Sequence, residues 1–336
     1  VAREAGVSTA TVSRVINNQS YVSPDMRAKV QRVVRRRGYY PNANARGLAS
    51  GRSNLIGLVI SDIANPFFPE LVKGMETAAF EHGYEVILAN TNYDPARMSN
   101  YVQRFIERGV RGVALMTSEF DHDLLKELPR RNVSVVFLDS GRPAPHVSNL
   151  AVEYETGIEE AVIHLVRLGH RRVAYVGGPP RMRSSQRRLK AFRRSMLRHL
   201  PEEQVSVYAG DFRTEGGRAA ARRLLVDRRH PTAVVVANDM MALGVIQECR
   251  EAGLSIPREL SVIGFDDIAF AALTEPPLTT VSLPRQLLGR KAIEALLATL
   301  NDPDRRGFEI PIPTSLVIRQ STAAAPGTLR LEAHRP

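Results

Sequence analysis

The sequence predicts an α/β protein in two parts: an all-α helix-turn-helix headpiece with a hinge helix, then a larger core of doubly wound parallel sheets in two lobes. Three observations carry that reading. Residues 1–38 hold three short helical patterns punctuated by Gly6 and Gly38. Gly47, Ser50, Gly51, Ser53 and Asn54 break the composition. Beyond them, short β-rich runs alternate with amphipathic helices, as in parallel sheets covered on both faces. A chain of 336 residues is too long for one ordinary core and suggests two or three units.

Val1-Ala2-Arg3-Glu4-Ala5 is helix-forming, and Gly6 supplies the positive φ for a sharp turn after it. Ser8 caps the next helix through its hydroxyl. From Thr9, the apolar residues Val12, Val15 and Ile16 recur at three and four and share one face, while Thr9, Ala10, Ser13 and Arg14 lie elsewhere. A second helix with a small polar outer surface fits a DNA major groove. Ser23-Pro24-Asp25 opens a third helix with a capping serine, a proline at its first position and an early carboxylate for the dipole. It runs to Arg35-Arg36-Arg37 and stops at Gly38, with Val7, Val12, Val15, Ile16, Val30 and Val34 as the shared core.

An ordinary three-helix bundle with a solvated basic face would show the same helices, and charge weighs against it. The first 53 residues carry ten cations against Glu4 and Asp25, so +8 of the chain's +11 sits there. A phosphate backbone rewards such concentration through counterion release, whereas a solvated surface intersperses both signs. The expected partner is double-stranded operator DNA.

In the core the expected strands are 55–60, 85–89, 112–116, 133–138, 172–176, 205–208, 233–237 and 261–265. Helices are expected near 66–82, 95–108, 121–131, 155–168, 183–200, 214–227 and 239–252. Eight strands could form one sheet or two. An echo between 108–116 and 168–176, each a glycine-terminated helix feeding a strand, favours two, with a cleft between the lobes at the carboxyl ends of the strands.

The single cysteine, Cys249, excludes an intrachain disulfide, fits a reducing compartment and is expected to be a buried structural thiol. No apolar run reaches about 18 residues, so no membrane span is expected. Without a signal-like start, the expected location is cytoplasmic.

Gly6-Val7-Ser8-Thr9-Ala10-Thr11-Val12-Ser13-Arg14-Val15-Ile16-Asn17, Tyr21-Val22-Ser23, Gly38-Tyr39-Tyr40-Pro41-Asn42 and Ala45-Arg46-Gly47-Leu48 together resemble the headpiece and hinge of the LacI/GalR family of bacterial transcription regulators. The resemblance continues through Asn65-Pro66-Phe67-Phe68, Leu168-Gly169-His170-Arg171-Arg172, Ala237-Asn238-Asp239, Gly264-Phe265-Asp266-Asp267 and Leu278-Thr279-Thr280-Val281. It implies a headpiece over 1–40, a hinge over 41–53, a two-lobed periplasmic-binding-protein-like core over 54–322 for effector binding and dimerisation, and an unstructured tail over 323–336. It also implies three lobe crossings, near Val152, Val281 and Val317. Family members usually begin several residues earlier, so a truncated, weakened headpiece is expected. Gly47 costs about 1 kcal/mol relative to alanine in a helix, so the hinge is expected to fold only on DNA.

Within the recognition helix, Thr9 and Ala10 are small enough to approach base edges, and Arg14 can reach guanine or phosphate. Plain helix propensity is the competing account of Ala10, and phosphate contact the favoured one for Arg14. Ser8, Thr11, Ser13 and Asn17 read as backbone clamps. Among the hinge residues Asn42, Ala45, Arg46 and Leu48, the resemblance implies that Leu48 wedges into a minor-groove step beside its copy from a second subunit.

For a sugar-like small-molecule effector, the resemblance implies Asp139, Ser184, Arg188, Phe212, Asn238 and Asp266, with Phe67 and Phe68 as a wall. Carboxylates and amides suit hydroxyls, and an aromatic ring covers an apolar sugar face. A helix cap would also explain Asn238, and core packing would explain Phe67 or Phe68. Leu283 stands where the family is commonly polar, which disfavours a standard hexose, and Met182 stands where purine-binding members carry arginine.

No P-loop, G-x-S-x-G elbow, H-E-x-x-H helix or dinucleotide fingerprint is present, so no catalysis, cofactor or metal is expected. The leading function is an allosteric repressor acting as a homodimer. The alternative is a periplasmic-type sugar-binding receptor without DNA binding.

Overall fold

A computed structural model describes residues 1–16, 21–39, 53–117, 128, 130–139, 142–200, 205–302 and 306–326. Asn17, Asn42, Ala45, Arg46, Leu48, most of the helix expected over 121–131 and the tail from Gly327 lie outside the described residues. The chain divides into two compact units, Val1–Asn54 and Leu55–Pro336.

Among its described residues the first unit holds three helices, α1 (Ala2–Ala5), α2 (Thr9–Ile16) and α3 (Pro24–Arg37). Gly6 and Gly38 end α1 and α3 in the left-handed conformation, at φ 60° and 55°. Ser8 Oγ accepts from the Thr11 amide at 3.1 Å, and Ser23 caps α3 by accepting from the Met26 amide at 3.4 Å. Ala5, Val12, Val15, Val30 and Val33 form the buried core, ringed by Val7, Ile16 and Val34. Val33 thus takes the inner place expected of Val34.

The second unit carries two six-stranded sheets. In chain order the first lobe contributes β1 (Leu55–Ile60), α4 (Phe67–Glu81), β2 (Glu85–Asn90), α5 (Pro95–Glu107), β3 (Gly112–Met116), β4 (Ser134–Leu138) and β5 (Val147–Val152). The second lobe follows with α6 (Tyr154–Arg167), β6 (Val173–Gly177), α7 (Arg183–His199), β7 (Val205–Ala209), α8 (Thr214–Leu225), β8 (Ala233–Val236), α9 (Asp239–Glu251), β9 (Ser261–Asp266) and β10 (Thr279–Ser282). Then α10 (Arg285–Asn301) and β11 (Glu309–Ile312) return to the first lobe, and β12 (Ser315–Val317) ends in the second. The sheet orders are β11-β5-β4-β3-β1-β2 and β12-β10-β9-β8-β6-β7, parallel throughout except for β12 against β10.

The chain therefore crosses between lobes at 152–154, 282–285 and 312–315. The first two agree with the expected places. The third lies at Pro313-Thr314 rather than near Val317, because β11 pairs with β5 up to Ile312 before β12 joins β10. The crossings are stitched together: Thr314 Oγ1 donates to the Glu153 carbonyl at 2.7 Å and accepts from the Gly157 amide at 3.1 Å. The Glu153 amide donates to the Ile312 carbonyl at 2.9 Å.

The tail expected from 323 onward is fixed at its start. Ala323 accepts from His170 and donates to Ser261 Oγ, and the Ala325 amide donates to the Leu168 carbonyl. Cys249 is fully buried, and burial pushes its thiol up to about 12, beyond use as a nucleophile at neutral pH. Among the described residues, no helix is long and apolar enough to cross a membrane.

Candidate functional site

Both sheets end at one cleft, because parallel strands deliver the loops after their carboxyl ends to a common edge. Ser61 follows β1, Thr117 follows β3, Asp139 follows β4, Phe212 follows β7, Asn238 follows β8, and Asp266 closes β9. The cleft holds about 630 Å³ of non-atom space with its open mouth included. Phe67, Phe68, Asp139, Ser184, Arg188, Phe212, Asn238 and Asp266, the eight residues singled out in the sequence, all line it. So do Tyr93, Tyr154 and Asn65, which were not among the expected effector contacts, and the apolar Met116, Leu138, Met182 and Leu283.

Arg188 is the centre of the polar floor. It is buried, and it donates to the Ala237 carbonyl and, at 3.2 Å, to Asp266 Oδ1. Its guanidinium lies 4.0 Å from the Phe265 ring centroid, with Tyr154 and Phe212 at 5.3 and 5.8 Å. Phe265 thus stabilises the cation through its π face, away from water. The Nε of Arg188 has no partner within the described residues. Burial pushes Asp266 up to about 6, against the pull of Arg188 and Arg285. Arg285, at the start of α10, donates to the Asp266 carbonyl and to Glu70 at 3.0 Å, joining β9 to α4 of the other lobe.

Asp139 is engaged differently. Its carboxylate accepts from the Val152 amide at 2.8 Å, from the Tyr154 hydroxyl at 2.5 Å and from Arg187 at 2.6 Å. Burial nevertheless raises its pKa, outweighing Arg187 and these hydrogen bonds. A carboxylate with three donors in place ties β4 to the first crossing and to α7 as much as it faces the cleft. Arg187 stands in a run of basic residues on α7, and no sequence pattern separates it from its neighbours as a second side chain that turns inward beside Arg188.

Asn238 combines both readings left open for it. Its Oδ1 caps α9 by accepting from the Met241 amide at 3.0 Å, while its Nδ2 donates to the Phe212 carbonyl at 2.9 Å and the residue lines the cleft. Phe67 and Phe68 likewise pack in the lobe core and wall the cleft, edge to face at 5.2 Å. Asp266 and Asp267 part ways: Asp267 pairs outward with Arg319 at 2.6 Å, so the two carboxylates do not form an acid/base dyad. Among the described residues, no group of three or more His, Cys, Asp or Glu could hold a metal ion.

In the headpiece, Thr9, Ala10, Ser13 and Arg14 form one exposed face of α2, opposite the buried Val12 and Val15. Ser8 and Thr11 hydrogen-bond one another at 2.9 Å at the start of the helix. Glu4 holds Arg36 and Arg37, and α2 itself contains no carboxylate.

A helix-turn-helix unit and a two-lobed ligand cleft in one chain define a ligand-responsive DNA-binding regulator. Residues 1–42 match the bacterial regulatory proteins of the lacI family, and residues 162–322 match a periplasmic binding protein-like domain. The ribose operon repressor of Escherichia coli K12 is 36% identical over 327 residues, spanning 96% of this chain and 98% of its own. The HTH-type transcriptional repressor PurR of Photobacterium profundum is 35% identical over 325 residues, spanning 96% and 97%. A solved lac repressor dimer, bound to operator and the anti-inducer ONPF, aligns with a TM-score of 0.83 at 29% identity, covering 96% of this chain and 98% of that one. The chain belongs to the lacI family of bacterial regulatory proteins. Its relatives regulate transcription, and the match over residues 1–42 tells against a binding receptor that lacks a DNA-reading part.

Proposed function

We propose that this chain is a cytoplasmic homodimeric repressor, acting by binding rather than catalysis, whose hold on operator DNA is set by a small sugar-like effector in the cleft. The observation that carries this reading is the convergence of Arg188, Asp266 and Asn238 with Phe67, Phe68 and Phe212 on one cleft between two lobes. Few polar groups among aromatic walls suit a ring with hydroxyls on its edge and an apolar face. Met182 and Leu283 add apolar surface where a purine or a fully hydroxylated hexose would need donors, which favours a smaller sugar such as a pentose.

DNA reading falls to Thr9 and Ala10 at base edges, to Arg14 at phosphate or guanine with phosphate favoured, and to Ser8, Thr11, Ser13 and Asn17 at the backbone, with Asn42, Ala45 and Arg46 in the hinge and Leu48 as the minor-groove wedge. Paired half-sites require two-fold symmetry.

The test is a double dissociation. Arg14→Ala weakens operator binding by about 1 to 3 kcal/mol and leaves effector affinity unchanged. Asp266→Ala abolishes the effector response and leaves operator binding intact. Operators come from filter binding of genomic fragments at two salt concentrations, and effectors from thermal shifts against pentoses, hexoses, sugar phosphates and nucleosides. An Asp266→Ala protein that still responds, or an Arg14→Ala protein with native operator affinity, overturns the assignment.

A further inference from the structure

Arg213 lies just outside the cleft, immediately after Phe212, and its side chain is 47% exposed. It reaches from the second lobe to three residues of the first. Its Nη2 donates to Asn92 Oδ1 at 3.1 Å, its guanidinium sits 5.4 Å from the centroid of the Tyr93 ring, and its Nε lies 3.9 Å from Asp62 Oδ2. The backbone on both sides is unusual. Phe212 holds φ 68°, and Asn92 and Tyr93 hold 52° and 61°, left-handed values that cost free energy for residues other than glycine. Both Tyr93 and Phe212 line the cleft. The two loops are therefore held in a costly shape that turns an aromatic ring toward the cleft from each lobe, and Arg213 is the side chain that spans between them.

We propose that Arg213 is a positioning residue that latches the two lobes across the cleft mouth and sets the spacing of the Tyr93 and Phe212 walls. Three contacts of different kinds converge on one planar cation. The distant ion pair with Asp62 is screened by salt, while the neutral Asn92 bond and the Tyr93 face persist. A lysine retains the charge and loses the fork that reaches Asn92 and Tyr93 together. Closure then tightens the cleft around whatever occupies it, so the consequence for ligand residence rests on the reading of the cleft as an effector site. The latch itself does not.

Spin labels at Gln103→Cys on α5 and Arg223→Cys on α8, both exposed positions, report the distance between lobes without any ligand. The native Cys249 is buried and stays unlabelled. The expected result is a narrow distance distribution for the otherwise native chain. It broadens and shifts by several ångström with Arg213→Ala and takes an intermediate position with Arg213→Lys, at unchanged melting temperature. Distributions that coincide with and without Arg213→Ala overturn the latch, as does a native distribution already as broad as the variant's. If the thermal-shift panel yields no effector while Arg213→Ala still opens the lobes, the effector reading fails and the latch stands. If an effector binds while Arg213→Ala leaves the lobe distances unchanged, the latch fails and the effector reading stands.

Discussion

Asp266 shows how one buried residue turns an electrostatic environment into a measurable pH dependence. Its folded pKa of about 6 lies above the ordinary 3.8, so between those values the folded state holds the proton more tightly than the unfolded chain. That contribution to stability is full below the ordinary value and is lost as pH rises through about 6, beyond which it is level. Asp139 and Asp239 are raised by burial too and act in the same direction, so the wild-type slope alone does not isolate Asp266. Asp266→Asn keeps an acceptor for Arg188 and removes the proton. The stability of wild type relative to this variant should fall from about pH 4 to about pH 6 in urea titrations and stay flat above. A difference that is constant across the window would mean that Asp266 titrates as an ordinary surface carboxylate. At this scale the cleft lining was legible through the family resemblance, since the eight residues it implied all line the cleft. What escaped were Arg187, Tyr154, Tyr93 and Arg285, whose roles depend on which way a side chain turns at a lobe crossing or a left-handed loop residue.

The secondary elements were legible where polar and apolar faces are balanced and obscure where apolar burial or buried polar residues dominate. The helices α4 to α9 alternate polar and apolar residues, and their spans follow the pattern to within a residue or two. By contrast α10 buries Leu288, Ala292, Ile293, Ala295, Leu296, Leu297 and Leu300 around most of its circumference, between α4 and the first sheet. Only a narrow stripe through Leu287, Arg290 and Glu294 stays exposed, so the amphipathic period is weak. The strand β5 buries Ser148 and Asn149, and β10 buries Thr279 and Thr280, so neither reads as an apolar run. The crossings depend on a close approach at Gly157 in α6. A Cβ there would meet Val281 Cγ1 at 2.4 Å and Thr314 Oγ1 at 2.7 Å, both on stiff β-branched side chains. Gly157→Ala gains about 1 kcal/mol of helix propensity and loses about 1 to 3 kcal/mol to overpacking. The expected outcome is a lower denaturation midpoint, with the loss absent from the headpiece because the two units are separate. A midpoint at or above wild type would show that the three crossings yield without strain.

For the whole molecule, the surface proposed to meet a second subunit is on α9 and the segment after β9. The apolar run Ile268, Phe270, Ala271 and Leu273, expected from the sequence to face a second subunit, divides by burial. Ile268 and Ala271 are core residues, pinned by the Ile268 amide donating to Asp239, while Phe270 is half exposed and Leu273 is 78% exposed. Beside Thr274 and Glu275, a groove runs along Leu243, Ile246, Gln247 and Arg250 of α9. Exposed leucine and phenylalanine next to a groove of this kind suit a second copy of the same patch, since an isologous contact places each subunit's side chains against the other's groove. The described end of the tail, Ala323–Pro326, belongs to the second lobe, where the Ala325 amide donates to the Leu168 carbonyl. With one such self-complementary patch per chain, sedimentation should give about twice the 37.2 kDa chain mass, unchanged by removal of residues 327–336. The paired substitutions Phe270→Asp and Leu273→Asp should halve that mass and weaken operator binding, because a single headpiece buries too little surface for tight specific recognition. Effector-induced thermal shifts should survive in the monomer, since the cleft is built from one chain. A dimer that persists with both aspartates would move the interface elsewhere on the core, and a monomer that binds operator at full affinity would remove the two-fold mechanism altogether.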